Sequence, residues 1–174
     1  VEEMGGTITF ESKKGVGTTF VIRVPFKIDL DADKREESKD VSEKSIKGMH
    51  VLLAEDNELN MEIAEFLLQN EGAEVTKAWN GQEIVELFRK SEAGEFDVIL
   101  MDIMMPIING YEAAKRIRSL DREDAKKIPI IAMTANAFTE DRIRAKEAGM
   151  DEHVAKPIDV ELLIKVIHKL VKHN

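Results

Sequence analysis

From residue 48 onward the sequence predicts a doubly wound α/β domain, a parallel sheet covered by helices on both faces, and three observations predict it. Short apolar runs alternate with stretches whose apolar residues recur at helical spacing. The run Phe96 to Met101 is continuously apolar, as a central parallel strand buried on both faces requires. The runs also end in polar residues: Met49 to Ala54 in Glu55-Asp56, Phe96 to Met101 in Asp102, Ile128 to Met133 in Thr134, and Val154-Ala155 in Lys156.

The elements follow in order. Thr7 to Glu11 and Thr18 to Phe26 read as two strands of a hairpin around the turn Ser12-Lys13-Lys14-Gly15-Val16-Gly17. Residues 27–47 interleave Lys, Asp and Glu with few apolar anchors, which is the composition of a solvated linker. After the strand Met49 to Ala54, Leu59, Ile63, Phe66 and Leu67 place one apolar stripe on a helix that begins near Asn57 and stops at Gly72. Val75 to Ala78 is the second strand of the sheet, and Asn80-Gly81 opens a second helix carrying Ile84, Leu87 and Phe88. The strand Phe96 to Met101, a helix over Gly110 to Leu120, the strand Ile128 to Met133 and a helix over Phe138 to Ala148 continue the alternation. A short strand, His153 to Ala155, and a helix from Asp159 as N-cap to Lys172 close it. Five strands and five helices are expected, with no internal repeat.

Composition excludes several classes of function. With no cysteine among 174 residues, the chain has no disulfide framework, thiolate metal site or Cys nucleophile. A formal charge of −9 argues against nucleic-acid binding, which needs a basic face. No stretch is long and apolar enough to span a membrane, so the expectation is a soluble, cytoplasmic piece without direct membrane contact.

In a parallel α/β sheet the carboxyl ends of the strands open onto one edge. That edge gathers the carboxylates of Glu55, Asp56 and Asp102 with the hydroxyl of Thr134 and the ammonium of Lys156. Carboxylates so placed repel one another unless a cation sits among them, and hard oxygen ligands with room for water and phosphate suit Mg²⁺. Taken singly, Asp102 reads as a helix cap or loop residue, Thr134 as an ordinary strand end and Lys156 as a surface lysine; their company reverses that reading. The histidines His50, His168 and His173 have no metal-like spacing.

The motifs Leu52-Leu53-Ala54-Glu55-Asp56-Asn57, Met101-Asp102-Ile103-Met104-Met105-Pro106 with Asn109-Gly110, Met133-Thr134-Ala135 and Lys156-Pro157 follow one another at four strand ends across the whole domain. On these residues the stretch 49–172 resembles the receiver domain of bacterial two-component response regulators. The resemblance implies a flavodoxin-like strand order of 2-1-3-4-5. It makes Asp102 the phosphoacceptor, assisted by Thr134 and Lys156. It makes Asp56, Asp102 and the backbone carbonyl of Met104 ligands of Mg²⁺, with Glu55 acting directly or through water. His153 stands where the family carries a residue that turns inward on activation, so Thr134 and His153 are the implied switch. Lys156 before Pro157 suggests a shaped loop with a cis peptide.

The first stretch resembles something else. Gly5-Gly6-Thr7-Ile8, Glu11-Ser12 and Gly15-Val16-Gly17-Thr18-Thr19-Phe20 are similar to the last glycine-rich box and final strands of a histidine-kinase ATP-binding domain. The asparagine box and the adenine-binding aspartate are absent, so no ATP site is expected. The resemblance therefore implies the C-terminal portion of a hybrid sensor histidine kinase: a kinase-domain hairpin over 1–26, a charged linker over 27–47 and a receiver over 48–174. Its implied function is phosphoryl relay, with a histidine-kinase core or a histidine phosphotransfer protein as partner. Its full-length parent would be a histidine protein kinase, with membrane anchoring through further N-terminal segments as an open alternative. A metal-dependent phosphatase is the enzymatic rival, but it wants an acid two residues after the nucleophile, and position 104 is Met. A phosphorylation-independent docking receiver is the binding rival, disfavoured by the retention of Asp56, Asp102, Thr134 and Lys156.

Overall fold

A computed structural model describes residues 5–25, 45–134 and 139–171, with side chains from residue 142 in the last stretch. The chain divides into two compact units, residues 1–40 and 41–174.

In the first unit, β1 (Thr7–Lys13) pairs antiparallel with β2 (Gly17–Arg23), placing Ile8 opposite Ile22 and Phe10 opposite Phe20. The Phe10 and Phe20 rings lie 5.8 Å apart between centroids. Directly opposed residues share a face of the ribbon, so these four apolar side chains form one exposed patch. The strands run closer to the turn than the sequence suggests, pairing Ser12 with Thr18 and Lys13 with Gly17, and the Ser12 and Thr18 hydroxyls meet at 2.8 Å. Phe26, the expected end of the second strand, lies outside the described residues, as do 27–44 of the expected linker.

In the second unit, β3 (His50–Ala54), β4 (Glu74–Ala78), β5 (Val98–Asp102), β6 (Ile130–Thr134) and β7 (Glu152–Ala155) form one parallel sheet in the order β4-β3-β5-β6-β7. This is the expected 2-1-3-4-5. The helices are α1 (Glu58–Asn70), α2 (Gly81–Lys90), α3 (Gly110–Arg118), α4 (Glu123–Lys127), α5 (Thr139–Glu147) and α6 (Val160–Val171). The five alternating helices are those expected; α4 is an additional single turn without apolar periodicity, held by the buried Ala125.

Period-two alternation of the strands sorts the core into two layers. Leu52, Ala54, Ile99, Met101, Ile130 and Ala132 face one side with Ile84, Phe88, Ala113 and Ile117 from α2 and α3. Val51, Leu53, Val98, Leu100, Ile131 and Met133 face the other with Met61, Ala64 and Leu68 of α1 and Leu163, Ile164 and Ile167 of α6. Ile46, at the end of the expected linker, is fully buried in that second layer, so residues 45–47 pack as part of the α/β unit.

The expected stripe of α1 is corrected by the packing. Leu59, Ile63 and Phe66 stand outward, 64%, 47% and 62% exposed, while Met61, Ala64 and Leu68 are the buried stripe. Both sets have helical spacing, and the sequence alone favours the set with larger side chains. The sheet accepts the smaller one, because Ala64 lets the helix lie close.

Candidate functional site

The carboxyl edge of the sheet positions the site. Asp102 is the last residue of β5 and Thr134 the last of β6; Glu55 follows β3 and Lys156 follows β7. Glu55, Asp102 and Thr134 are buried, at 2%, 5% and 7% exposure, and are the buried polar or charged residues among those described. The loop after Asp102 is folded back over the strand end by Gly110, whose N–H donates to the Ile103 carbonyl at 3.0 Å. A Cβ on Gly110 would lie 2.3 Å from the Asp102 carbonyl oxygen, so only glycine permits this approach. Gly81 is bound likewise, its missing Cβ 2.1 Å from the Ile108 carbonyl oxygen of the same loop. Within the loop Ile107 has a φ of 68°, a left-handed conformation rarely adopted by a β-branched residue, and its side chain is 74% exposed.

Glu55, Asp56 and Asp102 each bring one carboxylate oxygen within 4.8 Å of the others, a set that can hold a metal ion. Lys156 Nζ reaches across this set, 2.5 Å from Glu55 Oε2 and 2.9 Å from Asp102 Oδ2. The Lys156-Pro157 peptide is cis, as the motif suggested. Burial raises the Asp102 carboxyl above its ordinary pKa; the hydrogen bond and charge of Lys156 pull it back, and the charge of Glu55 adds to the rise. For Lys156, burial opposes the ammonium, but hydrogen bonds and charges of Glu55 and Asp102 outweigh it and hold its pKa above the ordinary value. Three carboxylates against one ammonium leave the cluster negative. The donor set is all oxygen with an open side at the exposed Asp56, so its chemistry fits a hard divalent cation.

Glu55, Asp56, Asp102, Thr134 and Lys156 all stand at this edge, and Met104 and His153 lie on the loop after β5 and on β7. The Met104 side chain is 78% exposed, and its N–H donates to Asp102 Oδ1 at 3.3 Å. His153, on the edge strand, is half-buried with Nδ1 3.2 Å from Glu152 Oε1. Ala135, part of the third motif, lies outside the described residues. One site residue was missed by sequence reasoning: Asn60 Nδ2 donates to Glu55 Oε1 at 3.0 Å. Its signal was faint, a second asparagine one turn after the capping Asn57, in a position where asparagine is a poor helix former.

Comparison with known proteins agrees with this geometry. Residues 51–168 match the model of the response regulator receiver domain. The chain belongs to that family. Among curated relatives, hybrid signal transduction histidine kinase I of Dictyostelium discoideum is 40% identical over 120 residues, covering 68% of this chain and 7% of that protein. The aerobic respiration control sensor protein ArcB of Escherichia coli K12 is 32% identical over 169 residues, 97% of this chain and 21% of that protein. The chain thus spans about a fifth or less of the length of these relatives. Among solved structures, the receiver domain of sensor histidine kinase PA1611 from Pseudomonas aeruginosa PAO1, with magnesium in its active site cleft, has a TM-score of 0.65 and 34% identity. That match covers 72% of this chain and 98% of that one. The Saccharomyces cerevisiae complex of the histidine phosphotransfer protein Ypd1 with the receiver domain of Ssk1 gives a TM-score of 0.64 at 29% identity, covering 72% and 90%. The receiver is accordingly a part of two-component signal transduction, like those of hybrid histidine kinases.

Proposed function

We propose that this receiver takes a phosphoryl group from a phosphohistidine onto Asp102 and passes it to a histidine phosphotransfer partner or to water. The observation that carries the proposal is Asp102 itself, a buried carboxylate at a strand end, 2.9 Å from the Lys156 ammonium and beside two further acids. In the transfer an Asp102 carboxylate oxygen attacks phosphorus, the new P–O bond forms as the P–N bond breaks, and the leaving imidazole nitrogen keeps the bonding pair. Such a reaction needs charge neutralised more than it needs a general acid or base. Lys156 Nζ, already on Asp102, donates to one phosphoryl oxygen, and the Thr134 hydroxyl, on the neighbouring strand end, donates to another. Asp56, Asp102 and the Met104 carbonyl would hold Mg²⁺ with Glu55 beside them. Bound there, the ion supplies the positive charge that lets an anion approach an anion.

The partner is read from the margin of the site. Leu59, Ile63 and Phe66 of α1 and Met104 and Ile107 of the loop after β5 are exposed apolar side chains on elements that flank Asp102. A surface of this kind suits the apolar helices that carry a phosphohistidine, in the kinase core or in a phosphotransfer protein. Thr134 and His153 would relay the phosphorylated state to the face of α5, β7 and α6. The domain reading keeps its three parts, a kinase-domain hairpin, a charged linker and a receiver, within a cytoplasmic part of a longer kinase. It is supported by the ArcB match, which at 97% of the chain takes in the hairpin as well.

The test is incubation with a small phosphodonor with and without Mg²⁺, followed by location of the modified residue. Incorporation at Asp102 that requires the metal is expected; incorporation elsewhere, or at Asp102 in full without metal, overturns the reading.

A further inference from the structure

Glu55 is the longest of the three clustered acids by one methylene and the most deeply buried, at 2% exposure. An extra rotatable bond in a metal-binding acid is useful only if something fixes it, since a swinging carboxylate must be ordered at each binding event. Two donors fix it here. Oε2 accepts from Lys156 Nζ, and Oε1 accepts from Asn60 Nδ2 at 3.0 Å. The Lys156 contact is shared with Asp102, so it cannot by itself keep Glu55 in place while Lys156 serves a phosphoryl oxygen.

Asn60 is in turn held by its backbone. Its N–H donates to the side chain of Asn57, the N-cap of α1, at 3.0 Å, so the first turn fixes where the Asn60 amide can point. The two asparagines of Glu55-Asp56-Asn57-Glu58-Leu59-Asn60 therefore act in series, one capping the helix and the other gripping the acid. Resting on the metal-dependent reading above, we propose that Asn60 is a positioning residue of the cation site, setting the reach of Glu55 toward the ion or its water. Its partner would be a divalent cation with oxygen preference, and its effect would be carried through Glu55 alone.

The experiment is a double-mutant cycle on the full chain, with Mg²⁺ affinity measured by calorimetry. Asn60→Leu keeps the size of the side chain and raises helix propensity, so the fold is retained. Partners of this kind are typically worth 10–100-fold in affinity, and because Asn60 stands at the solvent rim the expected loss is about tenfold. In a Glu55→Ala background the same substitution should change affinity less than about twofold, since the group it positions is gone. A second readout needs no metal: the Asn60 side-chain amide resonances should shift when Glu55→Ala is made in the metal-free protein. Unchanged affinity in Asn60→Leu, or an equal loss in both backgrounds, overturns the proposal while phosphorylation of Asp102 leaves the parent reading standing. A parent chain that binds no Mg²⁺ overturns both.

Discussion

The receiver carries two clusters of partly buried charge at opposite ends of its sheet, and they are built on opposite plans. At the carboxyl edge, Glu55, Asp56 and Asp102 face a single ammonium, and the set remains negative. At the amino edge, Arg122 donates to the carbonyls of Phe88, Ser91 and Glu92 at 2.6, 2.9 and 3.0 Å, pairs with Asp124 and lies over the Phe88 ring. Nearby Arg118 donates to the carbonyls of Gly149 and Ala125 and pairs with Asp151, whose Oδ2 also receives the N–H of Ile130. The arginine cluster is balanced and saturated within the chain. The acidic cluster is neither, and a fold holds such a set against repulsion when a ligand completes it.

The comparison is tested most severely by chemistry. Asp102→Asn should abolish phosphoryl incorporation, and Asp56→Ala should remove most Mg²⁺ affinity, while Arg122→Ala should leave both within about twofold, as expected for sites too far apart to couple. Labelling of the Asn variant at the parent level would sink the assignment of Asp102. The same Arg122→Ala variant should lower unfolding free energy by about 2–3 kcal/mol, because it strips donors from three carbonyls and removes a cation over an aromatic ring. Denaturant unfolding measures this, and a change below about 0.5 kcal/mol would show the clamp to be ornamental.

Smaller but sharper is a test of sign. Neutralising an acid in the unbalanced cluster should stabilise the metal-free fold, since burial already raises the Asp102 pKa and Lys156 keeps Glu55 as a partner. Asp102→Asn should thus gain about 1 kcal/mol without Mg²⁺. Neutralising one in the balanced cluster, by Asp124→Asn, should lose about as much. Metal should reverse the order for the parent, adding about 2.7 kcal/mol at a hundredfold excess over its Kd and nothing comparable to Asp102→Asn. Two substitutions of the same sign, measured side by side in chelator, would break the comparison.

The two ends also differ in how much of them could be read from sequence. The acidic cluster was legible because each member sits next to a strand end, and strand ends are marked by apolar runs such as Val98 to Met101 and Ile130 to Met133. Its helper Asn60 was not, since a polar residue in a first helical turn looks like any other surface position. The arginine clamps were illegible altogether: their partners are mostly backbone carbonyls, which carry no residue identity. The face of α1 was misread for a related reason. Periodicity finds an apolar stripe, but Met61, Ala64 and Leu68 include an alanine that weighs little beside Leu59, Ile63 and Phe66. The single-turn α4 had no period to detect.

The smallest expected effect concerns acid. Asp124 is held at a pKa of about 2, below its ordinary 3.8, chiefly by the Arg122 hydrogen bond, against opposition from burial and with help from the Gly94 N–H and the Arg122 charge. A carboxylate with a depressed folded-state pKa contributes fully while both states are ionised, above 3.8. As pH falls from there toward 2 the unfolded chain takes up the proton first, and the contribution fades. Because the pair keeps about a fifth of its side-chain surface in solvent, with 18% and 21% exposed, screening still limits it to on the order of 1 kcal/mol. The stability difference between the parent and Asp124→Asn should therefore hold steady from neutral pH to about 5 and narrow below about 4. Asp102, raised rather than depressed, should follow the opposite course: the advantage of Asp102→Asn should be full at neutral pH and shrink above the Asp124 window, as the folded carboxyl takes up its proton before the unfolded one. A difference for Asp124→Asn that persists undiminished to pH about 2 would mean that the pair contributes through geometry alone, and that charge balance is not what separates the two ends of the sheet.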